Sequence, residues 1–328
     1  TDCFKPAFNY RPKQSAQYAL AISNFDQSEE DPKRYNFGFI ASTDDHTARP
    51  GTGYKQYERR KMTFATGVKS KMWEYKYKAE DPNFPEIPKI TPGESQPDSE
   101  RVSSFVYPGG ILAVHSQGRG KEAIWTALKN KNVYGTSGPK ILLWFDLLNS
   151  PNGKIPMGSK ITMSQNPRFI VRAAGSFKQN EGCADESIDS LSAERLEYLC
   201  AGECYNPTNE REIIEKIEVV KITPQNYEGE AISPLIQDPW KTIQCPMEGK
   251  CIAEFEDQNF SRDSVYYVRA IQKPTLAING SPLSQRENFE LCKGSFRTDL
   301  EDNCLSMTGE RAWSSPIYVD KPLSLIHI

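Results

Sequence analysis

Two short stretches decide the fold class of the C-terminal part of the chain: IEKIEVVKI at residues 214–222 and SVYYVRAIQ at residues 264–272. Both are rich in β-branched and aromatic side chains, the composition typical of β-strands. Further strand candidates beyond residue 139 are KILLWFDLL, RFIVRAAGSF, CIAEFED and SSPIYVD. Loops rich in Pro, Gly, Asn and Cys separate these strands, and only SAERLEYL (192–199) favours a helix. This pattern predicts an antiparallel β-sandwich-like domain over residues 140–320.

The N-terminal part of the chain has a different pattern. Residues 15–25 predict a helix with Ser15 as its N-cap, and RYNFGFIAS (34–42) predicts a strand. The apolar run in that strand is continuous, which is typical of a strand buried on both faces of a parallel sheet.

A second strand and helix follow further along the chain. GGILAVHSQ (109–117) predicts a second buried strand, and GKEAIWTALKNKN (120–132) predicts a helix after it. The strand–loop–helix order occurs twice, which indicates an α/β domain over residues 1–139. The helix positions expected to face inward are Ile124, Trp125 and Leu128.

Composition limits the classes of partner. The chain has 328 residues, with 40 basic and 43 acidic side chains and a net charge of −3. This balance gives no general attraction to nucleic acid or to an anionic membrane. The longest apolar stretch, near ILLWFDLL (141–148), is far shorter than the roughly 20 residues of a membrane-spanning helix. The oligomeric state is left open.

The eight cysteines indicate an oxidising compartment. Seven of them lie between residues 183 and 304, in surroundings typical of loops. Three neighbouring pairs are the candidate disulfides, with Cys3 and Cys183 left over: Cys200–Cys204, Cys245–Cys251 and Cys292–Cys304. Disulfides predict a periplasmic or extracellular location. A zinc site and free thiols in a reducing cytoplasm are the alternatives.

The segment FGFIASTDDH ends in a group of side chains suited to metal binding. Asp44 and His46 are two residues apart, so in an extended backbone both side chains leave the same side of the chain and can reach one or two adjacent metal ions. Asp45 then points the other way, toward a partner that orients the ligands. The alternative is a polar turn, in which these side chains only bond to the backbone.

His115 and Arg49 are candidate substrate-binding residues. His115 follows the second predicted strand, in a position equivalent to that of His46, and a packed structural histidine is the alternative for it. Arg49 follows His46 by three residues and is placed to bind substrate oxygens through both guanidinium nitrogens. A solvent-exposed loop arginine is the alternative reading there.

Several long blocks of the sequence resemble one bacterial family. FGFIASTDDHTARPGTGYK, YPGGILAVHSQGRGKEAIWTALKNKNVYGTSGPKILLWFDLLN, CAGECYNPTNEREIIEKIEVVKITPQ and ERAWSSPIYVD are similar to the family called domain of unknown function 3604. The resemblance runs from about residue 5 to residue 320. That family is in turn similar to the polymerase-and-histidinol-phosphatase (PHP) superfamily of metal-dependent hydrolases, which have a distorted β/α barrel.

The resemblance implies a specific ligand set. Asp44 and His46 match the late Asp-x-His motif of the superfamily, whose cluster of two or three divalent ions (Zn, Mn or Fe) also takes an early His-x-His. No histidine precedes His46 here. The chain is therefore expected to be N-terminally truncated, to carry the C-terminal portion of the barrel over residues 1–139, and to be inactive without the ligands upstream. Residues 321–328 are expected to be an artefactual tail.

Two functions follow as hypotheses. The first is a fragment of a metal-dependent hydrolase that acts through a metal-activated water on a small-molecule substrate, with phosphoesters as the default class. The alternative is a non-catalytic secreted binding protein with a vestigial metal motif. Exposed aromatic side chains on the β-rich domain would favour it, and the candidates are Tyr266, Tyr267 and Trp313.

Overall fold

The computed structural model describes residues 15–28, 31–42, 110–200, 204–278 and 305–322. The helices in these ranges are α1 (Ala16–Ala21), α2 (Lys121–Lys129), α3 (Asp185–Ser190) and α4 (Ala193–Cys200). The strands are β1 (Ser23–Asn24), β2 (Lys33–Arg34), β3 (Ile111–Val114), β4 (Val133–Thr136), β5 (Leu142–Ser150), β6 (Gly153–Pro156), β7 (Lys160–Thr162), β8 (Arg168–Ala174), β9 (Phe177–Glu181), β10 (Tyr205–Arg211), β11 (Ile214–Ile222), β12 (Ile236–Gln244), β13 (Lys250–Glu256), β14 (Ser264–Gln272), β15 (Thr275–Ile278), β16 (Leu305–Thr308), β17 (Arg311–Ser314) and β18 (Ile317–Asp320).

Two sheets form the body of the described structure. The larger has eight strands in the order β12–β11–β14–β17–β4–β3, with β18 beside β14 and β7 beside β18. The smaller has four strands in the order β13–β8–β5–β6. Neighbouring strands in both sheets run antiparallel, apart from the parallel pair of β7 and β18. The strands predicted at 214–222 and 264–272 are β11 and β14, and they pair with each other.

The main hydrophobic core lies between these two sheets. Phe169 of the smaller sheet stacks on Phe145, with ring centroids 5.3 Å apart, and contacts Tyr266 of the larger sheet at 4.8 Å. All three side chains are fully buried. Burying a side chain of this size stabilises the fold by about 1.5–3 kcal/mol. The packing of one sheet face on the other agrees with the predicted sandwich.

The opposite face of the larger sheet is also covered. Leu20 and Ala21 of α1 pack there against β11 and β14, together with Phe37 and Phe39. Eight of the nine residues of β14 are buried, which explains why its sequence shows no alternation of apolar and polar residues. The predicted N-cap of α1 is confirmed, because the Ser15 hydroxyl accepts a hydrogen bond from the Tyr18 N–H at 3.1 Å.

The strand predicted at residues 34–42 is not formed beyond Arg34. Residues 35–42 have no regular secondary structure, although they lie against the larger sheet. Both edges of the neighbouring strand β4 are already occupied, by β3 on one side and β17 on the other. The segment therefore packs on the face of the sheet and has no free edge of β4 to join.

The structure also corrects the predicted α/β arrangement of residues 1–139. The strands β3 and β4, on either side of α2, pair antiparallel instead of parallel. Within the described ranges the sheets are open and form no closed barrel, so a PHP-like barrel is not found there. Ile124 and Trp125 of α2 are 37% and 58% exposed, contrary to prediction, whereas Ala127 is buried and Leu128 is half-buried. The small Ala127 side chain, and not the bulky ones, is on the covered side of the helix.

The predicted division at residues 139/140 stays a prediction. The larger sheet continues across that position, because Gly135 of β4 is the register partner of Trp313 of β17.

Two disulfides lie in the described part of the chain. Cys245 and Cys251 are bonded as predicted. Cys204 is bonded to Cys183, not to Cys200, with a Cα–Cα distance of 4.8 Å. The reason is the antiparallel pairing of β9 with β10, which ends at Glu181 and Tyr205 and brings the following and preceding cysteines together. Cys292, Cys304 and Cys3 lie outside the described residues.

Candidate functional site

The predicted metal motif begins where one described segment ends. Asp44, Asp45, His46 and Arg49 lie outside the described residues, and Ser42 is the last residue before them. The structure therefore shows the contacts of residues 35–42, the approach segment that leads to the motif.

The approach segment is held by side chains of β18 and of the residue after β17. The Tyr318 hydroxyl accepts a hydrogen bond from the Phe37 N–H at 2.9 Å and donates one to the Phe37 carbonyl at 2.7 Å. The Ser315 hydroxyl accepts a hydrogen bond from the Phe39 N–H at 3.0 Å. Burial raises the pKa of Tyr318, an effect opposed by its bond to the Phe37 carbonyl, so the phenol keeps its proton at neutral pH. Side-chain hydroxyls thus bind the backbone groups of this segment that a neighbouring strand would otherwise bind.

Glycines allow the segment to lie very close to β4. A Cβ at Gly135 would lie 2.9 Å from the Ala41 Cβ and 3.0 Å from the Ala41 nitrogen. A Cβ at Gly38 would lie 2.8 Å from the Ser315 hydroxyl oxygen. Real side chains do not approach this closely, so glycine is required for the observed contact.

Ser42 and Gly110 are joined by a backbone hydrogen bond. The Gly110 N–H donates to the Ser42 carbonyl at 2.8 Å. Residues 43–109, which include the Asp-x-His motif, therefore connect two positions that are adjacent in space, beside the start of β3.

His115 lies at the other end of β3. That strand has four residues, a length of roughly 13 Å at about 3.3 Å per residue. In the predicted parallel sheet, residues 42 and 115 would follow strands ending at the same edge. In the observed arrangement Ser42 is beside the N-terminal end of β3 and His115 follows its C-terminal end, so this reason for grouping His115 with His46 is removed.

The surroundings of His115 are those of a structural histidine. Its Nε2 lies 2.8 Å from the Leu143 carbonyl oxygen, so this nitrogen carries the proton. The ring packs between Tyr134 and Trp144, with centroid distances of 5.3 and 5.7 Å. A role for His115 in substrate binding stays a prediction.

A cluster of charged and polar groups, which the sequence did not indicate, joins α1 to the larger sheet. Arg269 forms ion pairs with Asp238 and Glu218. The buried Gln17 amide donates hydrogen bonds to Asp238 Oδ2 and the Tyr267 hydroxyl oxygen, each at 2.7 Å. Two carboxylates already pair with the one guanidinium, so this cluster links α1 to the sheet and does not form an open anion site.

The hydroxyls of the GTSG turn are also engaged. Thr136 Oγ1 accepts a hydrogen bond from the Gly138 N–H at 3.1 Å. Ser137 Oγ donates to Glu310 and accepts from the Arg311 N–H at 2.9 Å. Burial, together with the positive charge of nearby Arg269, lowers the pKa of Arg311. These contacts are those of ordinary turn formation.

The described residues contain no cluster of potential metal ligands, and the predicted aromatic binding residues are largely covered. Within those ranges no group of three or more His, Cys, Asp or Glu side chains could hold a metal ion. Tyr266 and Tyr267 are 0% and 4% exposed and Trp313 is half-buried, so the two tyrosines offer no binding surface. No helix in the described part of the chain is long and apolar enough to cross a membrane.

Residues 22–146 match the sequence model of the family described as "Protein of unknown function (DUF3604)". The matched stretch includes the Asp44-x-His46 motif, Arg49 and His115. It supports, over these residues, the resemblance seen in the sequence blocks. No curated protein and no solved structure matches the chain.

Proposed function

We propose that this chain is part of a metal-dependent hydrolase and that Asp44 and His46 are two of its metal ligands. The observation that supports the proposal is the position of the motif. Asp44-x-His46 lies inside the matched stretch 22–146 and follows directly a segment anchored by Tyr318, Ser315 and Gly110. An anchored backbone reduces the freedom of ligands that follow it, which favours metal binding.

The donor atoms suit the proposed metals. A carboxylate oxygen and an imidazole nitrogen are ligands that Zn, Mn and Fe share in proteins. When bound, such ions activate a water molecule and neutralise charge on an oxyanion. Two side chains do not complete a site, and the resemblance to the PHP superfamily implies that further ligands, including a His-x-His, complete it.

Each residue of the motif has its own proposed role. Asp44 and His46 bind metal. Asp45 orients its neighbours through hydrogen bonds. Arg49 binds two oxygens of a phosphoester through its planar guanidinium, a geometry that lysine does not reproduce.

The two disulfides support a periplasmic or extracellular location for this hydrolase, because such bonds persist in oxidising compartments. A phosphoester is the proposed substrate class, since the metals and Arg49 together match the charge of a phosphate.

The experiment is hydrolysis of a phosphate monoester and a phosphate diester by the full-length protein. We expect Asp44→Ala and His46→Ala to reduce kcat at least about 100-fold, because loss of a ligand disrupts the metal site. Arg49→Lys should chiefly raise KM. Asp31→Ala, an exposed position, is the control and should leave both constants unchanged. Equal activity in all variants would reject the assignment.

A further inference from the structure

A partly buried lysine meets a buried aspartate and a buried tyrosine between the two sheets. Lys221 lies on β11 and Tyr266 is its register partner on β14, whereas Asp257 follows β13 of the other sheet. The Lys221 ammonium and the Tyr266 hydroxyl both contact the same oxygen, Asp257 Oδ2. Asp257 is 1% exposed and Tyr266 is fully buried. These three side chains connect the two sheets at one atom.

The surroundings of this contact are aromatic and largely shielded from solvent. Lys221 Nζ lies 5.3 Å from the centroid of the Trp240 ring and 5.8 Å from that of Tyr266. The second carboxylate oxygen, Asp257 Oδ1, accepts a hydrogen bond from the Asn259 N–H at 3.1 Å. The carboxylate is thus held at both oxygens, while the amine approaches only one of them.

This pair differs from the other lysine–carboxylate pairs in the described residues. The side chains of Lys221 and Asp257 are 12% and 2% exposed. The lysines of the other pairs, which include Lys216 with Glu218 and Lys154 with Asp146, are at least 31% exposed. Two unlike charges removed from water lose much of their solvation, so conversion of the pair to a neutral product is favoured in this position.

We propose that Lys221 and Asp257 condense to form an intramolecular amide that covalently joins the two sheets. The Lys221 Nζ–Asp257 Cγ bond forms and the Cγ–Oδ2 bond breaks. Of the three ammonium protons, two leave with Oδ2 as water and one remains on the amide nitrogen. The positive and negative charges cancel, so the reaction needs no oxidant, reductant or added reagent.

Tyr266 is the catalytic residue of this condensation. Its hydroxyl donates a hydrogen bond to Oδ2, the oxygen that departs, and so stabilises the negative charge that develops there. Burial, followed by the hydrogen bond and charge of Asp257, raises the pKa of Tyr266, which keeps the phenol a donor. The two reacting groups are held next to each other in a largely buried position, and such fixed placement can accelerate a reaction by a large factor.

The test is the intact mass of the reduced, denatured wild-type chain. The cross-linked chain is lighter than its sequence mass by one water, and digestion yields one branched peptide containing Lys221 and Asp257. Lys221→Arg and Asp257→Ala should each restore the full mass, and Tyr266→Phe should lower the cross-linked fraction. Lys216→Arg, the control in an ion pair that is more exposed, should retain the loss of water.

Three results would overturn the proposal. The first is a wild-type mass equal to the sequence mass. The second is a water loss that maps to other residues, and the third is a loss that persists in Lys221→Arg. The wild-type measurement needs no variant, so the outcome does not depend on whether the substituted chains fold.

Discussion

The hydroxyl of Tyr318 binds both backbone groups of Phe37, accepting from its N–H at 2.9 Å and donating to its carbonyl at 2.7 Å. One phenol therefore makes the two backbone hydrogen bonds that a neighbouring strand would otherwise make to the segment before the Asp-x-His motif. Tyr318 is 4% exposed, so water cannot easily replace either bond.

Tyr318→Phe removes both bonds while keeping the ring. We expect a loss of about 1–3 kcal/mol in the free energy of unfolding, because two backbone groups lose their partner. The amide hydrogen of Phe37 should also exchange faster, which mass spectrometry of deuterated peptides can measure. Tyr227→Phe is the control, since Tyr227 is 62% exposed. An unchanged exchange rate at Phe37 would show that the bonds do not hold the segment.

His115→Ala separates a structural role from a metal-binding one. The variant loses the bond to the Leu143 carbonyl and the ring contacts with Tyr134 and Trp144. We expect unfolding to become easier by about 1–3 kcal/mol, with the metal content per chain unchanged. Arg119→Ala, an exposed neighbour, should change neither quantity. Loss of metal without loss of stability would make His115 a ligand instead.

The Cys183–Cys204 bond predicts a specific peptide map. Cleavage after Lys178, Arg195 and Arg211 places Cys183 on one peptide and both Cys200 and Cys204 on the next. Without reduction these two peptides should run as one disulfide-linked species. If Cys200 were bonded to Cys204, the two peptides would separate. Further cleavage after Glu203 identifies which cysteine carries the bond.

Glu230 gives the fold a dependence on acid pH. Arg262 binds both of its carboxylate oxygens, at 2.8 and 3.0 Å, and this contact lowers the pKa of Glu230 below its ordinary 4.5. The folded-state pKa is thus below that of the unfolded chain, so the stabilisation is present above about pH 4.5 and is lost as pH falls through the folded-state value.

The variant Glu230→Gln should lose this stabilisation at neutral pH. Its Tm should be lower than that of wild type at neutral pH, and the difference should shrink as pH falls below 4.5. Glu228→Gln, an exposed residue of the same turn, is the control. A Tm difference that stayed constant down to pH 2 would contradict the assignment.

Local patterns predicted the strands of the sandwich well. Residues 214–222 and 264–272 form strands with those bounds, and Ser15 caps α1. Strand composition and capping chemistry are local properties of the chain, so a single sequence contains them.

Features that depend on tertiary pairing could not be predicted in this way. Residues 35–42 have a strand-like sequence but pack on a sheet face, where the hydroxyls of Tyr318 and Ser315 bind their backbone groups. The partner of Cys204 depends on the pairing of β9 with β10, which spacing along the sequence does not reveal. His115 lost its expected place beside residue 42 because Ser42 is bonded to Gly110, at the opposite end of β3 from His115.

The metal content of the full-length protein tests the central claim most directly. We predict at least one tightly bound Zn, Mn or Fe ion per wild-type chain, and loss of most of it in Asp44→Ala and in His46→Ala. Asp31→Ala should keep the wild-type content. A wild-type protein that holds no metal after reconstitution, or variants that bind as much metal as wild type, would contradict the proposal.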